Sequence, residues 1–64
     1  MQKYFNIVEK VGISDKSMEE ATENAVLSLP VETVSWFEVA EIRGRVNQDK
    51  KLEYQVKVKI GTKS

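Results

Sequence analysis

Neither cysteine nor histidine occurs in the 64 residues, and proline occurs once. No disulfide can staple the chain, no thiolate or imidazole can hold a metal, and no serine or cysteine nucleophile can be paired with imidazole. An excess of charge of one sign is missing too. Ten basic and ten acidic residues cancel and are interspersed, so no strong field recruits nucleic acid or an anionic membrane surface. No apolar run approaches the ~20 residues of a membrane span. Met1-Gln2-Lys3-Tyr4-Phe5 lacks the apolar stretch of a signal peptide. The expectation is a soluble cytoplasmic protein with no nucleic-acid and no membrane partner.

What is present is too short for a generous core. A chain of this size forms one domain, 1–64, and buries only about 60% of the surface its unfolded form exposes. Small domains offset that deficit with disulfides, a structural metal or association with copies of themselves. The missing cysteine and histidine leave association.

Apolar residues recur at odd positions from Tyr4 to Ile13, through Phe5, Ile7, Val11 and Ile13, with Val8 on the other side. That alternation predicts a strand. Gly12 and Ser14 break the pattern, and Ser14 serves as a candidate helix N-cap ahead of Asp15, Glu19 and Glu20. Met18, Ala21, Ala25 and Leu29 then form the apolar stripe of an amphipathic helix, which must stop by Pro30. Val34 to Val46 is rich in β-branched and aromatic residues, Asn47-Gln48-Asp49-Lys50 supplies turn chemistry, and Leu52 to Thr62 alternates. In that last run Tyr54, Val56, Val58 and Ile60 share one face and Gln55, Lys57 and Lys59 the other. The order is strand, helix, strand, strand. With a right-handed crossover between parallel first and second strands, the third lies between them, antiparallel to both. The fold class is α+β: a β-α-β-β protomer, with a three-stranded antiparallel sheet and one helix on one face.

A four-residue hairpin loop, Asn47 to Lys50, would set Val46 opposite Lys51. Phe37 then faces Ile60 and Val39 faces Val58, both pairs under the helix. On the other face Trp36 lies across from Gly61, Glu38 from Lys59, Ala40 from Lys57 and Ile42 from Gln55. The single tryptophan thus sits on the side the helix leaves bare, with Gly61 offering open space. Aromatic residues are enriched where subunits meet, so the indole is either a packing surface for a neighbouring subunit or a platform for a flat ring. Gln55 shares that face, and its amide both donates and accepts, which suits the polar edge of a heteroaromatic ligand. Trp36 and Gln55 are offset by about six residues, roughly 20 Å along a strand, so one ligand touching both would draw them from different subunits. This register puts Arg43 on the helix-side face, in conflict with a role on the bare face unless a bulge at Gly44 re-aims it or the strand end projects past the helix.

Taken in order, Ile7-Val8-Glu9-Lys10-Val11-Gly12-Ile13-Ser14, Ser17 with Glu19-Glu20-Ala21 and Ala25, Trp36-Phe37-Glu38-Val39, Ile42-Arg43-Gly44, and Tyr54-Gln55-Val56 through Gly61 form a series. In that order and spacing the chain resembles a bacterial dodecin nearly end to end. The resemblance implies a hollow homododecamer that binds flavin, as flavin mononucleotide (FMN), riboflavin or flavin adenine dinucleotide (FAD), in pairs near two-fold axes. Trp36 matches the position that stacks on the isoalloxazine, Gln55 the one that hydrogen-bonds it, and Arg43 an arginine near FMN. Lys63 stands where bacterial relatives often have arginine, and Thr62 replaces an aromatic, so phosphate contacts rest on weaker ground than ring contacts. Leu29-Pro30-Val31-Glu32-Thr33 replaces a basic helix end, which makes coenzyme A a doubtful ligand. The implied role is storage, buffering and photoprotection of flavin. The alternative is a flavin-free cage acting as a scaffold or ion-binding shell, with metal sites unknown. No enzymatic activity is expected, because Glu9, Glu38, Glu41 and Glu53 supply carboxylates without a recognisable catalytic pair.

Overall fold

A computed structural model describes residues 4–63; Met1 to Lys3 and Ser64, within the domain expected over 1–64, lie outside the described residues. Its elements are β1 (Phe5–Ser14), α1 (Met18–Val26), a short 3-10 turn (Val31–Thr33), β2 (Val34–Val46) and β3 (Leu52–Lys63). The sheet order is β1-β3-β2 with both pairings antiparallel, the expected arrangement. The strand with the unbroken hydrophobic alternation, β3, is the central one.

Val56, Val58 and Ile60 of β3 are completely buried, against Ala21, Ala25 and Val26 of α1. Small residues on the helix let it lie close to the sheet. The approach is closest at Gly12 of β1, where an added Cβ would overlap the carbonyl of Ala21 and come within 2.9 Å of the Ala25 amide nitrogen. The stripe from the sequence is therefore right at Ala21 and Ala25, whereas Met18 stays exposed and Leu29 is half-buried at the margin.

The helix starts later than Ser14. Ser17 is the N-cap, its Oγ accepting from the Glu20 amide at 3.0 Å. Ser14 instead ends β1, buried, and its hydroxyl donates to the Glu20 carboxylate at 2.7 Å while accepting from the amides of Lys16 and Ser17. Both serines satisfy amide donors that a helix start leaves open, but Ser17 does so as the cap and Ser14 as the clasp of the preceding turn. Asn24 fastens the far side by donating from Nδ2 to the Ile13 carbonyl at 2.9 Å.

The hairpin departs from the expected register at the loop and at a bulge within β2, which compensate, and again at the start of β2 between Val34 and Trp36. Asn47 donates to Lys51 and accepts from Lys50, while its side chain accepts from the Asp49 and Lys51 amides. This is a turn followed by one left-handed residue, Lys50 at φ 61°, so three residues close the loop. Val46 consequently pairs with Leu52 rather than Lys51, and a bulge between Val39 and Glu41 then shifts the register by one. Beyond the bulge Trp36 lies opposite Gly61, Phe37 opposite Ile60, Glu38 opposite Lys59 and Val39 opposite Val58, as the sequence indicated. Between the loop and the bulge, Glu41 and not Ala40 faces Lys57, and Arg43 and not Ile42 faces Gln55. A left-handed conformation costs a residue with a Cβ about 1–2 kcal/mol, offset in part by the unfolded-state entropy of glycine. Lys50→Gly is expected to stabilise the fold by about 0.5–1 kcal/mol, read as a raised urea midpoint with unchanged slope.

Phe37 and Val39 are on the helix side of the sheet but not under the helix, which packs over β1 and β3 and barely reaches β2. They remain exposed, as do Ile42, Val46 and Leu52 further along the hairpin. Among the described residues, exposed large hydrophobics outnumber the six buried apolar ones. The protomer measures 53 × 18 × 14 Å, a long ribbon with a core at one end. Exposed apolar surface on this scale marks interaction surfaces.

Candidate functional site

The sheet face that α1 leaves bare carries the odd-numbered residues of β1 and β3. On β2 the bulge at Ala40 changes which residues join them. Trp36 and Glu38 precede it at even positions, and Glu41, Arg43 and Arg45 follow at odd ones. An extra residue swaps the parity of everything after it. Arg43 is thereby carried to the same face as Trp36 and Gln55, by a bulge at Ala40 and not at Gly44. Ile42, expected beside Trp36, goes to the helix side.

The four residues singled out in the sequence form two clusters at opposite ends of this face. At one end Trp36 lies over Gly61, and Lys63 follows two residues along β3, opposite Phe5. The space expected at Gly61 is occupied by the indole itself: a Cβ there would overlap its Cε2 and Nε1. Phe5 of the far strand meets the ring edge to face, with centroids 6.1 Å apart and planes at 83°. Trp36 is half-buried by these contacts and Lys63 is exposed.

At the other end Arg43 donates from Nε to Gln55 Oε1 at 3.3 Å, and Gln55 donates from Nε2 to Glu53 Oε1 at 3.1 Å. Arg45 completes the chain with Nε 2.8 Å from the same Glu53 oxygen. Gln55 retains one amide N–H and one carbonyl lone pair, and the Arg43 fork retains its terminal N–H groups. A neighbouring hollow of about 110 Å³ is lined by Val11, Glu41, Arg43, Gln55 and Lys57. The sequence reading missed Glu53 as a partner of Gln55, Arg45 as the partner of Glu53, and Glu41 and Lys57 as the flanks of Gln55. Their common signal is the 98 to which facing residue numbers sum on the loop side of the bulge.

Hydrogen bonding from Gln55, followed by that from Arg45 and its charge, holds the Glu53 carboxyl below its ordinary value of 4.5. A carboxylate whose pKa is depressed on folding stabilises the fold above its unfolded value, and that contribution is lost as pH falls through the folded value. In a carbon-detected NMR titration Glu53 is expected to protonate below an unfolded-peptide glutamate, and Gln55→Ala to move it back upward. A wild-type midpoint at or above the peptide value would contradict the network. Among the described residues no cluster of three acidic side chains is placed to hold a metal ion, and no helix is long and apolar enough to cross a membrane.

A β-α-β-β protomer with a partial core, an aromatic at one end of its bare sheet face and an amide flanked by arginine at the other defines a class of small binding protein. The chain belongs to the dodecin family, whose model matches residues 5–64. It is 36% identical over 63 residues to the dodecin of Thermus thermophilus, covering 95% of this chain and 91% of that one. The dodecin from Streptomyces davaonensis superposes with a TM-score of 0.84 at 26% identity, covering 100% of this chain and 97% of that one. A crystal structure of the T. thermophilus dodecin with a tryptophan changed to phenylalanine gives 0.83 at 33% identity, covering 98% and 97%. In that structure and two arginine-to-alanine variants of the same protein, the replaced tryptophan and arginines are spaced as Trp36, Arg43 and Lys63 are here.

Proposed function

We propose that the protein binds flavin as a hollow homododecamer and acts to store, buffer and photoprotect it, with no catalytic step. The observation that carries this reading is that Trp36, Gln55 and Arg43 share one bare sheet face, to which the bulge at Ala40 brings Arg43. Trp36 supplies the stacking surface. Gln55, with one donor and one acceptor left, fits the alternating N–H and C=O edge of an isoalloxazine. Arg43 holds the Gln55 carbonyl and offers its remaining N–H groups to an anion, as FMN would present. Lys63, at the Trp36 end, is the second cation within reach of a phosphate.

The two clusters are separated by the offset of six positions from Gln55 to Gly61 on β3, roughly 20 Å at the strand rise. A ring system is smaller than that, so each ligand takes its tryptophan from one protomer and its glutamine from another. Assembly and binding are thus coupled, and the exposed apolar residues on both sheet faces supply the surface for assembly. When bound, flavin brings its own light absorption and redox chemistry; the indole stacked on it drains the excited state.

Titration of riboflavin and FMN with the assembled protein, followed by flavin fluorescence, tests the proposal. Saturable quenching with light-scattering mass twelve times that of the protomer is the expected result. An assembled protein that leaves flavin emission unchanged would favour a flavin-free cage.

A further inference from the structure

The central strand of a three-stranded sheet normally keeps side chains of its two outer neighbours about 10 Å apart. Here Gly61 removes that barrier at one position. Ile7 of β1 and Trp36 of β2 both pair with Gly61, and the Nε1–Cε2–Cζ2 edge of the indole lies in the volume a Cβ would fill. Leaning across, the ring reaches Phe5 on the far strand, at 6.1 Å and 83°, the edge-to-face arrangement that aromatic quadrupoles favour. One contact limits the height of the indole above the sheet and the other fixes its rotation. Neither Phe5 nor Gly61 would touch a ligand to exert this effect.

We infer that Phe5 and Gly61 are positioning residues that hold Trp36 in one rotamer before ligand arrives. This rests on the flavin reading for its consequence but not for its geometry. An indole free to change rotamer would be immobilised on binding, and a pre-set one avoids that loss. Phe5 thereby makes β1, the strand farthest from Trp36 in the sheet, a determinant of affinity.

The test uses the assembled protein and three variants: Phe5→Leu, Phe5→Tyr and Gly61→Ala. With a single tryptophan in the chain, the long-wavelength near-ultraviolet circular dichroism band reports Trp36 alone. Without flavin, Phe5→Leu and Gly61→Ala are expected to lose that band and Phe5→Tyr to keep it, at unchanged light-scattering mass. With flavin, Phe5→Leu is expected to raise the dissociation constant about 3- to 10-fold, Gly61→Ala by more, and Phe5→Tyr to restore wild-type binding. Should Gly61→Ala fail to assemble, the Phe5 pair decides the matter. An unchanged tryptophan band in Phe5→Leu would overturn the inference. So would wild-type affinity in that variant. If the wild type binds no flavin, the functional reading fails, while the unliganded spectra still decide whether the two residues hold the ring.

Discussion

Gly12→Ala is expected to remove most of the stability of the protomer, although it adds one methyl group. The new Cβ would overlap the backbone carbonyl of Ala21, and the Ala25 amide stands next in line. No rotamer change relieves a collision with helix backbone. The helix must lift, and lifting it opens the contact of Ala21, Ala25 and Val26 with Val56, Val58 and Ile60, which is the core among the described residues. Overpacking of a tight core costs about 1–3 kcal/mol where side chains can yield and more where they cannot. A domain of this length has roughly 3–10 kcal/mol in all, at the usual stability per residue. The variant is therefore expected to show a loss of about 3 kcal/mol or more in urea denaturation, or to be recovered unassembled. Adding Ala21→Gly is expected to give no rescue, because the overlap is with the Ala21 carbonyl and not its methyl. Wild-type stability in Gly12→Ala would mean that the helix does not sit on β1 as described.

Element order and strand pairing were legible in the sequence because each rests on a strong local signal. β3 alternates without a break, Pro30 bounds the helix, and the β-branched run from Val34 has a single turn sequence after it. Two details were written there but weakly. Ser14 and Ser17 are both cap candidates, and what separates them is Glu20, three residues after Ser17, in the spacing of a capping box. The bulge is announced by a change of parity: Phe37 and Val39 are apolar at odd positions, Ile42 and Val46 at even ones. A straight strand cannot bury both sets on one side.

The candidate site was less legible because it depends on the sheet as a whole. A four-residue loop and an unbroken strand each misplace the register by one, in opposite directions, so the pairing at Trp36 came out right while Arg43 was turned to the wrong face. The loop closes one residue tighter because Lys50 adopts a conformation with positive φ, which lysine does not advertise. Phe5 was visible as an apolar strand residue. Its meeting with Trp36 passes over a third strand, and the only hint was a glycine at the crossing.

Trp36→Ala is expected to separate the two roles an aromatic can play on this face. If the indole is a stacking platform, its removal forfeits ring contact in the ligand complex alone. Base-sized rings stacked on aromatic side chains lose about 1–3 kcal/mol on alanine substitution, so the flavin dissociation constant should rise between about 5- and 150-fold, with quenching weakened at saturation and the assembled mass unchanged. If the indole instead packs between protomers, the same variant lowers the mass measured by light scattering at low protein concentration, and any loss of binding follows the loss of assembly. Gln55→Ala supplies the second axis. Removing one member of the Arg43–Gln55–Glu53 chain costs about 1–3 kcal/mol where partners are left unsatisfied, and it leaves the indole in place. Affinity is then expected to fall while residual bound flavin stays fully quenched. Full quenching with weak affinity in Gln55→Ala, set against partial quenching in Trp36→Ala, would assign emission to the tryptophan and edge recognition to the amide. Loss of quenching in both to the same degree would show that the ring is seated only when both protomers contribute.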